Sequence, residues 1–160
     1  FGSGYRWHVT GLVHDETGFP KGPGAATVAQ TDRQYHKIYD NLEDIVEVEE
    51  YKLDDAEFAI IAFGGAARTA YDAIDAARAE GLKVGMLRCI TVWPFPEQQV
   101  KTLASKVQGI MVHELNRGQY VTEVERVVAG ACPVTLFGKY DNEPATPEEM
   151  LAEIKKAMGK

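Results

Sequence analysis

The chain has 160 residues, 45% of them hydrophobic, and a formal net charge of −7. That length suits one ordinary domain plus an extra segment, with enough apolar content for a core. The acidic balance argues against a nucleic-acid partner, and no apolar run nears the ~18 residues of a membrane span, so a soluble cytoplasmic protein is expected.

No signal-like segment opens the chain, which starts at Phe1 instead of Met, so a longer parent is expected. Residues 1–30 gather Gly2, Gly4, Gly11, Gly18, Gly22 and Gly24 with Pro20 and Pro23. Such composition favours turns and extended chain, and predicts an N-terminal arm or linker ahead of a domain over residues 31–160. Tyr35, Ile38, Leu42 and Ile45 then form one apolar stripe, which predicts a helix from Thr31 to about Val46, capped by Thr31 or Asp32. Glu43, Asp44, Glu47, Glu49 and Glu50 read as a solvated acidic face, with room for an antiparallel edge strand over Val46–Lys52.

From Ala56 onward strands and helices alternate. Phe58–Phe63 is an apolar run closed by Gly64-Gly65, a strand buried on both faces. Ala66–Ala79 is an Ala-rich helix ending before Gly81. Leu82–Leu87, Gly109–Leu115 and Pro133–Phe137 are the next strands. The helices between them are Pro96 or Glu97 to Val107, and Tyr120 to Ala129. Thr146-Pro147-Glu148-Glu149 is a capping box that starts a last helix running to about Met158. Short connections between such elements give right-handed βαβ units. The fold class is therefore α/β, a three-layer αβα arrangement on a mostly parallel sheet.

Several loops carry candidate chemistry. Gly64 and Gly65 precede a helix, where backbone N–H groups can meet a phosphate, and Arg68 is placed to pair with an anion. The pattern is neither a dinucleotide fingerprint nor a Walker loop, and a tight turn explains it as well. Arg88, expected at a strand end, is a second anion candidate. Trp93-Pro94-Phe95-Pro96 is a stiff aromatic turn, with Trp93 and Phe95 expected to pack on a partner or cover the core. Glu114, Asn116, Gly118 and Gln119 form a loop suited to subunit contact, in which Asn116 can cap the next helix. His113 and Glu114 are adjacent in a strand and so face opposite sides, which weakens an acid–base reading. His8 and His14 with Asp15 and Glu16 match no common metal spacing, and Cys89 and Cys132 lack a CxxC and are expected to be buried free thiols. No catalytic residue and no metal ligand is named.

At these residues the sequence resembles a known family. Residues 5–20, Tyr5-Arg6-Trp7-His8-Val9-Thr10-Gly11-Leu12-Val13-His14-Asp15-Glu16-Thr17-Gly18-Phe19-Pro20, are similar to the segment leaving the pyrimidine-binding domain in alpha subunits of 2-oxoacid:ferredoxin oxidoreductases. The Gly64–Arg68 loop, the stretch from Leu87-Arg88 to Pro96-Glu97, and Glu114–Gln119 followed by Glu123-Val124-Glu125-Arg126 resemble that family's next domain. That domain is itself similar to the transketolase C-terminal domain. Gly65 stands where Ser is usual, Cys89 where Pro is, and His113 where a small apolar residue is. The resemblance implies conversion of a 2-oxoacid, CoA and oxidised ferredoxin to acyl-CoA, CO2 and reduced ferredoxin. It implies thiamine diphosphate, magnesium and iron–sulfur clusters in the full complex, none of them held by this chain. It also implies a thiamine-binding beta subunit, with gamma and delta subunits as further partners. A module binding CoA phosphates, or a purely structural dimerisation domain, stands as the alternative.

Overall fold

A computed structural model describes residues 2–5 and 8–160; Phe1, Arg6 and Trp7 of the expected arm lie outside the described residues. The chain forms two compact units, Phe1–Ile45 and Val46–Lys160.

In the first unit the glycine-rich segment is folded on itself and is not a plain extended arm. His14 and Pro20 form an antiparallel bridge, Lys21 N–H donates to Val13 O, and the His14 N–H donates to Gln30 Oε1. Helix α1 spans Ala25–Tyr39 and starts after Gly24, not at Thr31. Ala25 and Ala26 are strong helix formers, and the Thr31 hydroxyl bonds back to Thr27 O within the helix, so it caps nothing. The expected single helix breaks at Asp40-Asn41. Asp40 ends α1, Asn41 Nδ2 donates to Lys37 O, and α2 is one turn over Leu42–Ile45. Turn-forming side chains thus override the apolar stripe.

The second unit is the layered domain. Its five strands are β1 (Val48–Tyr51), β2 (Phe58–Phe63), β3 (Val84–Cys89), β4 (Ile110–Glu114) and β5 (Val134–Gly138), in the order β1-β3-β2-β4-β5. β1 runs antiparallel to β3 and the other pairs are parallel. Helices α3 (Ala66–Ala79) and α6 (Pro147–Ala157) cover one face, α4 (Glu97–Ala104) and α5 (Tyr120–Val128) the other. The layers follow from pattern. β2 is apolar at every position because it is buried on both sides. α3 packs through Ala67, Ala70, Ala73, Ile74 and Ala77, and small side chains let it lie close to the sheet. α6 starts with the expected capping box, both reciprocal bonds between Thr146 and Glu149 being formed, and buries Met150 and Ile154 against α3. Cys89 and Cys132 are free and buried. No helix among the described residues is long and apolar enough to cross a membrane.

Candidate functional site

The sheet order sets the site. From β2 the chain moves outward to β3, then returns past β2 to β4. The connections after β2 and β4 therefore diverge at their carboxyl ends, and such a crevice is where sheets of this class take ligands. Its walls are the Gly64-Gly65 turn and the loop from Leu115 to Gln119. Below lie the aromatic rings of Phe63 and Tyr120, 4.8 Å apart, with Phe95 5.1 Å from Tyr120.

One wall is closed by the chain itself. Glu114 is fully buried, and its carboxylate accepts the N–H groups of Gln119 (3.2 Å), Tyr120 (2.8 Å) and Val121 (3.0 Å). These are the free donors at the start of α5, where a helix favours negative charge. Asn116 Oδ1 accepts from Gly118 N–H and Gln119 N–H and so shapes the turn ahead of the helix. Gly118 has φ 101°, and a Cβ on Gly138 would lie 2.5 Å from Asn116 O, so both glycines are required for the loop to sit there. Glu114 ends β4, within the expected strand, but it is fully buried under the start of α5, so it is not available as the subunit-contact residue expected from the sequence.

The other wall is open. Gly64 and Gly65 are exposed, α3 has no side-chain cap, and Arg68 is exposed with no side-chain partner among the described residues. A Cβ on Gly65 would meet nothing within 4 Å.

Beneath α3 a cross-strand row joins residues that sequence spacing could not bring together. Glu49 pairs with Arg88, Arg88 with Ala62, Ala62 with His113, and His113 with Phe137. Arg88 lies inside β3, not at its end. Its Nη1 donates to Glu49 Oε2 at 3.0 Å and to the Tyr71 hydroxyl at 3.3 Å, while that hydroxyl donates to Glu49 Oε1 at 2.7 Å. Tyr71 first, then Arg88, hold the Glu49 carboxyl below its usual range. Glu49 is thus a clasp on the edge strand and not part of a solvated face, and Arg88 is committed to it. The expected antiparallel edge strand over Val46–Lys52 brings Glu49 here; Tyr71 gave no sequence signal.

His113 is fully buried and stacks on Phe137 at 4.6 Å. Its Nδ1 donates to Phe137 O at 2.8 Å, which leaves Nε2 without a partner. Burial holds the imidazole below its ordinary value of 6.5, outweighing the Phe137 bond. The unfolded chain therefore takes up this proton first as pH falls. The contribution to stability is whole above pH 6.5 and is lost as pH falls through the depressed folded value. Unfolding free energy should drop between about pH 7 and pH 5, and drop less in His113→Gln. A variant that reproduces the wild-type profile in chemical denaturation would remove His113 from the acid response.

Trp93 is 66% exposed, whereas Phe95 is 6% exposed and belongs to the core under α4 and α5. The two aromatics of the turn thus divide between the two expected uses: Phe95 covers the core, and Trp93 faces outward. Tyr120 places its hydroxyl beside the buried Cys89 thiol but without a hydrogen-bond partner of normal geometry. Burial pushes Cys89 up to about 11, so it is no nucleophile near neutral pH. In the first unit His14, Asp15, Glu16, Gln30 and Arg33 line a hollow of about 450 Å³, and no group of three or more metal-ligating side chains gathers among the described residues.

Comparisons with known proteins agree on one family. Residues 56–150 match the pyruvate:ferredoxin oxidoreductase core domain II. The chain is 37% identical over 155 residues to 2-oxoglutarate synthase subunit KorA of Methanothermobacter marburgensis, covering 96% of this chain and 41% of that protein. It is 33% identical over 117 residues to ketoisovalerate oxidoreductase subunit VorB of the same organism, covering 73% of this chain and 33% of that protein. Among solved structures it resembles 2-oxoglutarate:ferredoxin oxidoreductase from Magnetococcus marinus, determined with 2-oxoglutarate, coenzyme A and succinyl-CoA bound. The TM-score is 0.76 at 22% identity, over 96% of this chain and 27% of that one, and shows the shared fold. The chain spans about two fifths of the length of the first of these relatives.

Proposed function

Because this chain belongs to the pyruvate:ferredoxin oxidoreductase core domain II family, we propose that it serves as the transketolase-C-terminal-like domain of the alpha subunit of a thiamine-diphosphate-dependent 2-oxoacid:ferredoxin oxidoreductase. In this role it is non-catalytic. It orients subunits and shapes the approach to a reaction centre formed elsewhere, in which a 2-oxoacid, CoA and oxidised ferredoxin become acyl-CoA, CO2 and reduced ferredoxin. The observation that carries this reading is Glu114. Among the described residues the one fully buried carboxylate at the crevice accepts three backbone N–H groups at the start of α5, which commits it to holding that helix in place.

The donor sets point the same way. Cys89 and Cys132 are the two cysteines of the chain, too few for an iron–sulfur cluster. The residues here therefore do not fit a cluster, and no step is routed through one. Thiamine diphosphate, magnesium, the clusters and the beta subunit supply the chemistry from outside this chain, and gamma or delta subunits extend the electron path to ferredoxin. The glycine-rich N-terminal segment and the exposed Trp93 are the surfaces proposed for contact with those partners.

The test is direct. The chain alone, given thiamine diphosphate, magnesium, CoA and 2-oxoglutarate, should reduce no viologen dye, whereas the same sequence within a complete alpha subunit with its beta subunit should do so. Dye reduction by the chain alone overturns the non-catalytic role. Pyruvate and branched-chain 2-oxoacids run in parallel to read the substrate.

A second reading, binding of CoA phosphates at Gly64, Gly65 and Arg68, is favoured by the uncapped start of α3 and the unpaired Arg68. Arg88 leaves this group, since Glu49 and Tyr71 occupy it. Calorimetric titration of CoA into the wild type and Arg68→Ala decides: equal affinity, or no binding, removes the reading.

A further inference from the structure

We propose that β5 is a self-pairing edge. Two copies of the chain join by antiparallel addition of β5 to β5 across a two-fold axis, making one continuous sheet. The proposal does not depend on the reading of function above.

The available groups follow from the ladder. Ile110 N–H donates to Pro133 O, and Lys139 N–H donates to Glu114 O. Residues of β5 in step with Pro133 and Lys139 therefore turn their backbone groups toward β4. The intervening residues, Val134, Leu136 and Gly138, turn N–H and C=O outward. Among the described residues none of these outward groups has a hydrogen-bond partner.

Edge strands in stable proteins are normally guarded by charge, by Pro or by cover. The opposite edge, β1, follows this rule with Glu49 and Glu50. β5 does not. It reads Val-Thr-Leu-Phe-Gly, with no charge and no Pro, and both Thr135 and Leu136 are exposed. Leu136 is 40% exposed, and Tyr140, just beyond the strand, is 60% exposed.

A second copy fits because the strip is its own complement. Centring an antiparallel pair on Leu136 sets Leu136 opposite Leu136 and Val134 opposite Gly138. Every outward N–H then meets an outward C=O, about six hydrogen bonds across the axis. Gly138 offers no side chain against Val134. Lys139 falls opposite Pro133, so no like charges meet. Self-pairing of β1 would instead oppose glutamate to glutamate, which is unfavourable.

Sedimentation of the chain over a concentration series, with amide hydrogen exchange on the same samples, tests this. A reversible dimer is expected, in which the amides of Val134, Leu136 and Gly138 exchange more slowly as concentration rises. Leu136→Lys places two like charges on the axis and should weaken association on the order of 100-fold. Glu50→Lys, on the other edge, should leave association unchanged. Circular dichroism checks that the variants fold; if Leu136→Lys does not, Thr135→Lys repeats the test from the other face of the strand. A monomer at every concentration overturns the proposal. So does a dimer that survives the lysine variants, or one that leaves the three amides unprotected. Protection that appears only on adding a different chain also overturns it, since the occupant is then not a second copy.

Discussion

Glu114→Ala is expected to lower unfolding stability by about 3–5 kcal/mol. The carboxylate is fully buried, and three N–H groups at the start of α5 have it as their acceptor. Truncation leaves the Tyr120 and Val121 donors facing a gap, while Gln119 N–H keeps Asn116 Oδ1, and it removes the charge that complements the helix start. A hydrogen bond to a charged group contributes about 1.5–3 kcal/mol, but the three share one side chain and do not add fully. Glu114→Gln keeps one acceptor oxygen and turns an amide N–H toward other N–H groups, so it should cost about 1–2 kcal/mol. Against a total of about 5–15 kcal/mol for a domain, the Ala change removes a large share. Urea unfolding followed by far-UV circular dichroism measures both. An Ala variant within about 1 kcal/mol of wild type would show that water, not Glu114, satisfies the helix start.

The aromatic turn gives the second large effect. Phe95→Ala should cost about 3–5 kcal/mol, the range for deleting a buried aromatic side chain. Phe95 lies against Tyr120 at 5.1 Å and is counted in the core with Val100, Leu103 and Val124. Trp93→Ala should fall within about 0.5 kcal/mol of wild type, because a residue 66% exposed loses little on truncation. The contrast tests the placement of the turn: two aromatics two residues apart face opposite ways. Equal effects for the two variants in thermal and urea unfolding would contradict it. If Trp93 instead meets a partner subunit, its loss should appear in assembly and not in the stability of the isolated chain.

The layered domain was readable because pattern and propensity agreed along it. The apolar run of β2, the alanines of α3 and the Thr146–Glu149 box each named their own element. The motif order at Gly64–Arg68, Leu87–Glu97 and Glu114–Arg126 carries the family resemblance independently of the fold. The site was less readable, because it is made by register. Glu49, Arg88 and His113 are far apart in sequence and share a row only through the order β1-β3-β2-β4-β5. A shift of the third element from Leu82–Leu87 to Val84–Cys89 moved Arg88 from a strand end into a strand, and with that from ligand candidate to clasp. Alternation in β4 correctly separated His113 from Glu114. It could not show that the Glu114 side would meet the start of α5, since that depends on how the Leu115–Gln119 loop turns. At the N-terminus, glycine content suggested extension, while local bonds such as His14 to Gln30 fold the segment back.

The direction of β1 has a consequence for tethering. Val48 is in register with Cys89, the last residue of β3, so the antiparallel strand begins at the carboxyl edge of the parallel strands. A chain entering the domain there is released from the sheet beside the crevice, not at the far end. The upstream connection is therefore anchored to the domain at the edge that carries the Gly64-Gly65 turn, and a slip of the β1–β3 register would move that anchor along the sheet.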